Sequence, residues 1–173
     1  MATPQSYEIA SVIAAVVSAV GGCAAAIAAF RSADSARLTA KAAYESSRRE
    51  SLREISSLAT TIETEIIAAR SVAGELNAEY RTAEILAGTT NNSSIERMRS
   101  TTNALAEKAS SFSNNAQPFA GGAIVLNQAP PDEIHRVHVR LSDDLAKIRV
   151  IREELARKCS AMRDTNNQSR IRS

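Results

Sequence analysis

The chain has 173 residues, with 21 Lys and Arg against 19 Asp and Glu, and its only aromatics are three Phe and three Tyr. A formal charge of +2 with so few rings supplies neither the basic footprint nor the stacking platforms of a nucleic-acid reader, so nucleic acid is not an expected partner. Two isolated cysteines exclude a disulfide-framed secreted domain, and scarce, clustered Pro and Gly favour helices packed side by side over a sheet.

The first predicted element is residues 9–30, where Ile9 to Phe30 give 22 consecutive positions without a charge between Glu8 and Arg31. As a helix this run covers about 33 Å, enough for a hydrocarbon core of roughly 30 Å, and it predicts a single transmembrane helix with the lipid bilayer as partner. Residues 1–8 carry no Lys or Arg, whereas Arg31, Arg37, Lys41, Arg48 and Arg49 follow the run. Basic flanks stay cytoplasmic, so the expected topology is a short outside N-terminus and a cytoplasmic C-terminal domain. A secretory signal would need a basic n-region, which is missing. Val20-Gly21-Gly22-Cys23 loosely resembles a lipoprotein cleavage site, but the apolar run continues past it to Phe30. The run is rich in Ala and lacks Leu, which also leaves open a buried helix of a soluble protein.

Ala14, Ser18, Gly22 and Ala26 form a row of small residues at every fourth position. Such rows let helix backbones approach closely in a bilayer, so this row is the candidate interface of a homo-oligomer. Residues 31–51 then read as a juxtamembrane helical stalk within a first long helix of about 35–87, with little to bury beyond Leu38 and Tyr44. In organisation, roughly residues 8–55 resemble many small bacterial proteins with a short outside end, one Ala/Val-rich anchor and an Arg- and Ala-rich helix. That resemblance implies a bacterial inner membrane and no particular activity.

Residues 52–163 read as a cytoplasmic bundle. Leu52, Ile55, Ala59, Ile62, Ile66, Ala69, Ala73, Leu76, Tyr80 and Ala83 alternate three and four apart, the seam of a coiled coil or bundle. Gly88 is placed to cap this helix, and Ser93 with Glu96 has capping-box spacing for the next. The second helix buries Ile95, Met98, Thr102, Leu105, Ala109, Phe112 and Ala116 and is expected to end at Pro118. The third opens at Pro131-Asp132-Glu133 and buries a stripe from Ile134 to Met162. Residues 54–107 hold eight acids and four bases, while 136–163 hold eight bases and four acids, a balance that favours pairing of those helices. The polar run 164–173 is expected to be disordered. The predicted fold class is thus all-α: one N-terminal transmembrane helix, then a long helix and a three-helix antiparallel bundle or coiled-coil domain.

Few groups point to chemistry. His135 and His138 lie at i and i+3 near Asp132, a spacing that suits a divalent metal, but no HExxH or CxxC accompanies them. No metal or other cofactor is expected, and no catalytic residue. Cys159 reads as a packed thiol. The connection Phe119–Leu126 is apolar without helical periodicity, either a cover for the open end of the core or a surface for a partner, with Ile124, Val125 and Leu126 as the contact residues. The expected function is a non-enzymatic, membrane-anchored scaffold or accessory protein that self-associates and binds a cytoplasmic protein. The alternative is a membrane effector or sensor whose bundle gates a transmembrane oligomer.

Overall fold

In the computed structural model, backbone is described for residues 4–88 and 92–172, and side chains for 25–88 and 92–171. The chain is all-α. Helix α1 spans Pro4–Leu86, α2 Ser93–Ser111, α3 Ser113–Ala120 and α4 Pro131–Arg172, with a 3-10 turn at Ile124–Leu126. Two units are distinguished, residues 1–48 and 49–173. In the first, the described side chains from Ala25 onward are almost all exposed, and Thr39 donates to the carbonyl of Ser35 at 2.9 Å. Among the described residues no helix is long and apolar enough to cross a membrane. The anchor read at 9–30 lies largely outside those residues, since the side chains of 9–24 are not among them.

The second unit is a helical bundle built on the predicted seam. Ile55, Ala59, Ile62, Ile66, Ala69, Ala73, Leu76 and Tyr80 are all buried, because a three-four spacing keeps one side of a helix turned to its neighbours. The core forms two clusters. One joins Ile55–Ile66 of α1 to Ala116, Leu126 and the Ile134–Ile148 side of α4; the other joins Ala69–Tyr80 to Ile95, Ala109 and the Ile151–Cys159 side of α4. Phe112 packs against both, at the junction of α2 and α3.

Polar pairs fix the direction of each helix. From α1 to α2 and α3 they run Glu84–Arg99, Asn77–Asn103, Arg70–Ser110 and Glu63–Ser113, so one number falls as the other rises and the helices are antiparallel. From α1 to α4 they run Glu54–His138, Glu65–Arg149 and Glu79–Arg163, each 84 residues apart. That constant offset makes α4 parallel to α1 and antiparallel to α2, and 84 is a whole number of heptads, which keeps the two seams in step.

Several features depart from the sequence reading, and on α2 Met98, expected to be buried, is exposed. The cap of α2 is Asn92, whose side-chain oxygen accepts from the backbone N–H of Ser94 at 3.0 Å, in place of a Ser93–Glu96 box. The helix expected to end at Pro118 instead breaks at Phe112 and restarts, with Pro118 inside α3. A proline ring crowds the carbonyl four residues earlier, and the break falls just upstream of that point. The tail expected to be disordered is helical to Arg172. It is held by polar contacts that hydrophobic periodicity does not reveal: Asn166 is 3% exposed and donates to both the backbone carbonyl and Oε2 of Glu79 at 2.9 Å.

Candidate functional site

Two places on the second unit have geometry beyond packing. The first is the 3-10 turn. Gly122 adopts φ 96°, a conformation that favours glycine, and this reversal delivers the chain from α3 into Ile124–Leu126. The backbone N–H groups of Leu126 and Asn127 donate to the carbonyls of Ala123 and Ile124 at 2.9 and 3.0 Å. Leu126 is driven into the core at 3% exposure, while Ile124 and Val125 stand 72% and 73% exposed. The turn is therefore both a plug and a display: one side chain closes the core and two face solvent. Residues 109–131 carry no charged side chain, so this display is flanked by neutral chain.

The second place is a cleft of about 610 Å³ between α1, α2 and α4, at the end of the bundle where α2 begins. Its apolar lining comes from Tyr80, Met98 and Met162. Tyr80 is 3% exposed, and its hydroxyl has no hydrogen-bond partner among the described residues. Arg97 lines the cleft from α2 and has no ion pair among the described residues, while Lys158 lines it from α4 and is shared with Glu154 at 2.8 Å. The Lys158 ammonium holds the Glu154 carboxyl below its ordinary value. Thr101 and Thr165 turn their hydroxyl hydrogens onto the carbonyls of Arg97 and Ala161, so towards the cleft they offer lone pairs. No acidic residue lines it.

Next to the cleft, Arg163 reaches Glu79 at 3.1 Å and Glu75 at 3.4 Å. Hydrogen bonds from Asn166 and then Arg163 lower the Glu79 carboxyl from its ordinary value. Burial raises the Cys159 thiol, and the Arg163 guanidinium opposes that only in part. This cysteine is a free, buried packing residue. Elsewhere Glu65, on α1, meets Arg149 at 3.5 Å and Arg152 at 2.7 Å, clamping α4 to α1.

The residues singled out from sequence fall as follows. Ile124 and Val125 are displayed together and Leu126 is not displayed. Ala14, Ser18 and Gly22 lie outside the described side chains, and Ala26 is exposed. His138 lies 3.8 Å from Glu54, and His135 is exposed. Among the described residues no group of three or more His, Cys, Asp or Glu is placed to hold a metal ion. Sequence reading missed the cleft, because its residues come from three helices and share no motif. The available signal was Tyr80, a hydroxyl-bearing residue on a seam otherwise built of Ile, Leu and Ala. Neither a family model, a curated protein nor a solved structure matches the chain.

Proposed function

We propose that this protein is a non-enzymatic, membrane-anchored helical scaffold that self-associates through its N-terminal segment and binds a cytoplasmic protein at the Ile124–Val125 display. The anchor rests on the uncharged run 9–30 and on the basic residues that follow it. Self-association rests on the row Ala14, Ser18, Gly22 and Ala26. The observation that carries the partner contact is the split within one turn. Leu126 is locked in the core, and two neighbouring branched side chains are held about three-quarters in solvent beside uncharged chain. Rigid apolar groups raised from a packed scaffold suit a shallow apolar pocket on a partner.

The test is co-purification of tagged full-length protein from membranes, comparing the natural chain with the double variant Ile124→Glu, Val125→Glu. A partner retained by the first and lost by the second, with unchanged melting of the bundle, is the expected result. Identical partner sets would remove the turn as the contact.

The alternative, a sensor or effector whose bundle gates a transmembrane oligomer, gains support from the cleft, since a sensor needs a place for its ligand. Its test is dye release from liposomes carrying the full-length protein. Dye release would favour a pore over a scaffold.

A further inference from the structure

We infer that the cleft between Tyr80, Arg97 and Lys158 is a binding site for a small phosphate monoester carried on an apolar body. The inference stands apart from the turn contact and from the anchor, since every residue it uses lies in the bundle. Three features of the cleft converge on this chemistry.

Its charge selects the sign of the ligand. Two cations line it and no acid does, and one of them, Arg97, has no ion pair among the described residues. A guanidinium presents a fixed fork of donors suited to oxyanions. The cleft also takes in Ser94 in the first turn of α2, whose own N–H is capped by Asn92 but where the positive end of the helix dipole favours an anion.

The donors come from different directions. The hydroxyl of Tyr80 comes from α1, the guanidinium from α2 and the ammonium from α4. Donors on three helices match the three terminal oxygens of a tetrahedral phosphate monoester better than a flat carboxylate. Tyr80 is the decisive residue. Its side chain is 97% buried while the phenol oxygen stays open to the cleft, so a ligand oxygen there meets a donor that no other described residue occupies.

The rest of the lining selects the body. The apolar surface of Tyr80, Met98 and Met162 would be wasted on a bare ion, and methionine adapts to flat or irregular apolar groups. The volume of about 610 Å³ falls within the range of small-molecule sites. The outward lone pairs of Thr101 and Thr165 can accept from hydroxyls on such a body.

Isothermal titration of the purified full-length protein, in phosphate-free buffer with a non-ionic detergent, tests this with phenyl phosphate and inorganic phosphate as probes. Phenyl phosphate should bind with one site per chain, and inorganic phosphate at least about tenfold more weakly. Tyr80→Phe preserves the packing and should weaken phenyl phosphate by about threefold to tenfold, the span of one hydrogen bond. Arg97→Gln should weaken it by about tenfold or more, as loss of a charged partner does. Arg157→Gln removes the same charge from a residue outside the cleft lining and should leave binding unchanged. Absence of binding by phenyl phosphate overturns the site. So does equal binding by inorganic phosphate, or binding by Tyr80→Phe and Arg97→Gln at the natural strength.

Discussion

Asn166→Ala is the sharpest test of the way α4 ends. Asn166 is 3% exposed in a stretch whose composition favours disorder, and its amide donates at 2.9 Å to both the carbonyl and the carboxylate of Glu79. A hydrogen bond to a charged group contributes about 1.5–3 kcal/mol and a neutral one about 0.5–1.5 kcal/mol. The Glu79 side chain is 20% exposed and keeps Arg163, so the lower parts of those ranges apply. The expected loss is about 1–3 kcal/mol, which lowers the midpoint of thermal unfolding by about 4–10 °C for a unit of this size.

The pH dependence gives a second check on the same residue. The hydrogen bond from Asn166 is the largest cause of the lowered Glu79 value. A carboxyl held below its ordinary 4.5 stabilises the fold above that pH, and the benefit is lost as pH falls through the lowered value. The gap between natural and variant protein should therefore be full at pH 7 and shrink below about pH 4.5. Circular dichroism melts at both ends of that range, with amide exchange over 164–172, measure it. Equal melting at pH 7 and unchanged protection of the tail would refute the claim that Asn166 pins α4.

Other substitutions separate packing from display. Leu126→Ala should cost about 2–4 kcal/mol by opening the core, whereas Ile124→Glu with Val125→Glu should leave the denaturation midpoint within about 0.5 kcal/mol of the natural protein. Glu65→Gln should cost about 1 kcal/mol in urea unfolding, and neither Arg149→Gln nor Arg152→Gln should cost as much, because the other arginine keeps the contact; both arginines are well exposed, which limits the effect. Cys159 should resist a thiol reagent in the native protein and react on unfolding in urea, since it is 5% exposed and burial raises its thiol; fast native labelling would contradict its placement.

The parts of the fold written in apolar periodicity were legible. Every seam position from Ile55 to Tyr80 is buried, as are Ile134, Leu141, Leu145, Ile148, Ile151, Leu155 and Cys159 on α4. Gly88 takes φ 61° just past α1, where a helix stop needs a left-handed residue. What escaped was written in single polar atoms. Asn92 and Ser93 are both good caps, and only backbone geometry decides between them. The tail looked disordered because its anchor is an asparagine, which hydropathy counts as surface. The connection 119–126 carried two opposed readings, a cover for the core or a partner surface, each taking Ile124, Val125 and Leu126 together; Leu126 covers the core, whereas Ile124 and Val125 are exposed. The cleft had no linear signature, since Tyr80, Arg97 and Lys158 meet only after the bundle has formed.

Residues 9–30 are proposed to anchor the chain in a bilayer and to pair there along one face. Disulfide cross-linking of single cysteines in isolated membranes tests it most directly, with Cys23 and Cys159 replaced by alanine. Cysteines at Ala14, Ser18, Gly22 and Ala26 should form covalent dimers efficiently, and those at Val16, Val20 and Ala24 poorly, the four-residue rhythm of one helix face. A chain found outside the membrane fraction, or cross-linking that is uniform or missing across all seven positions, would contradict it.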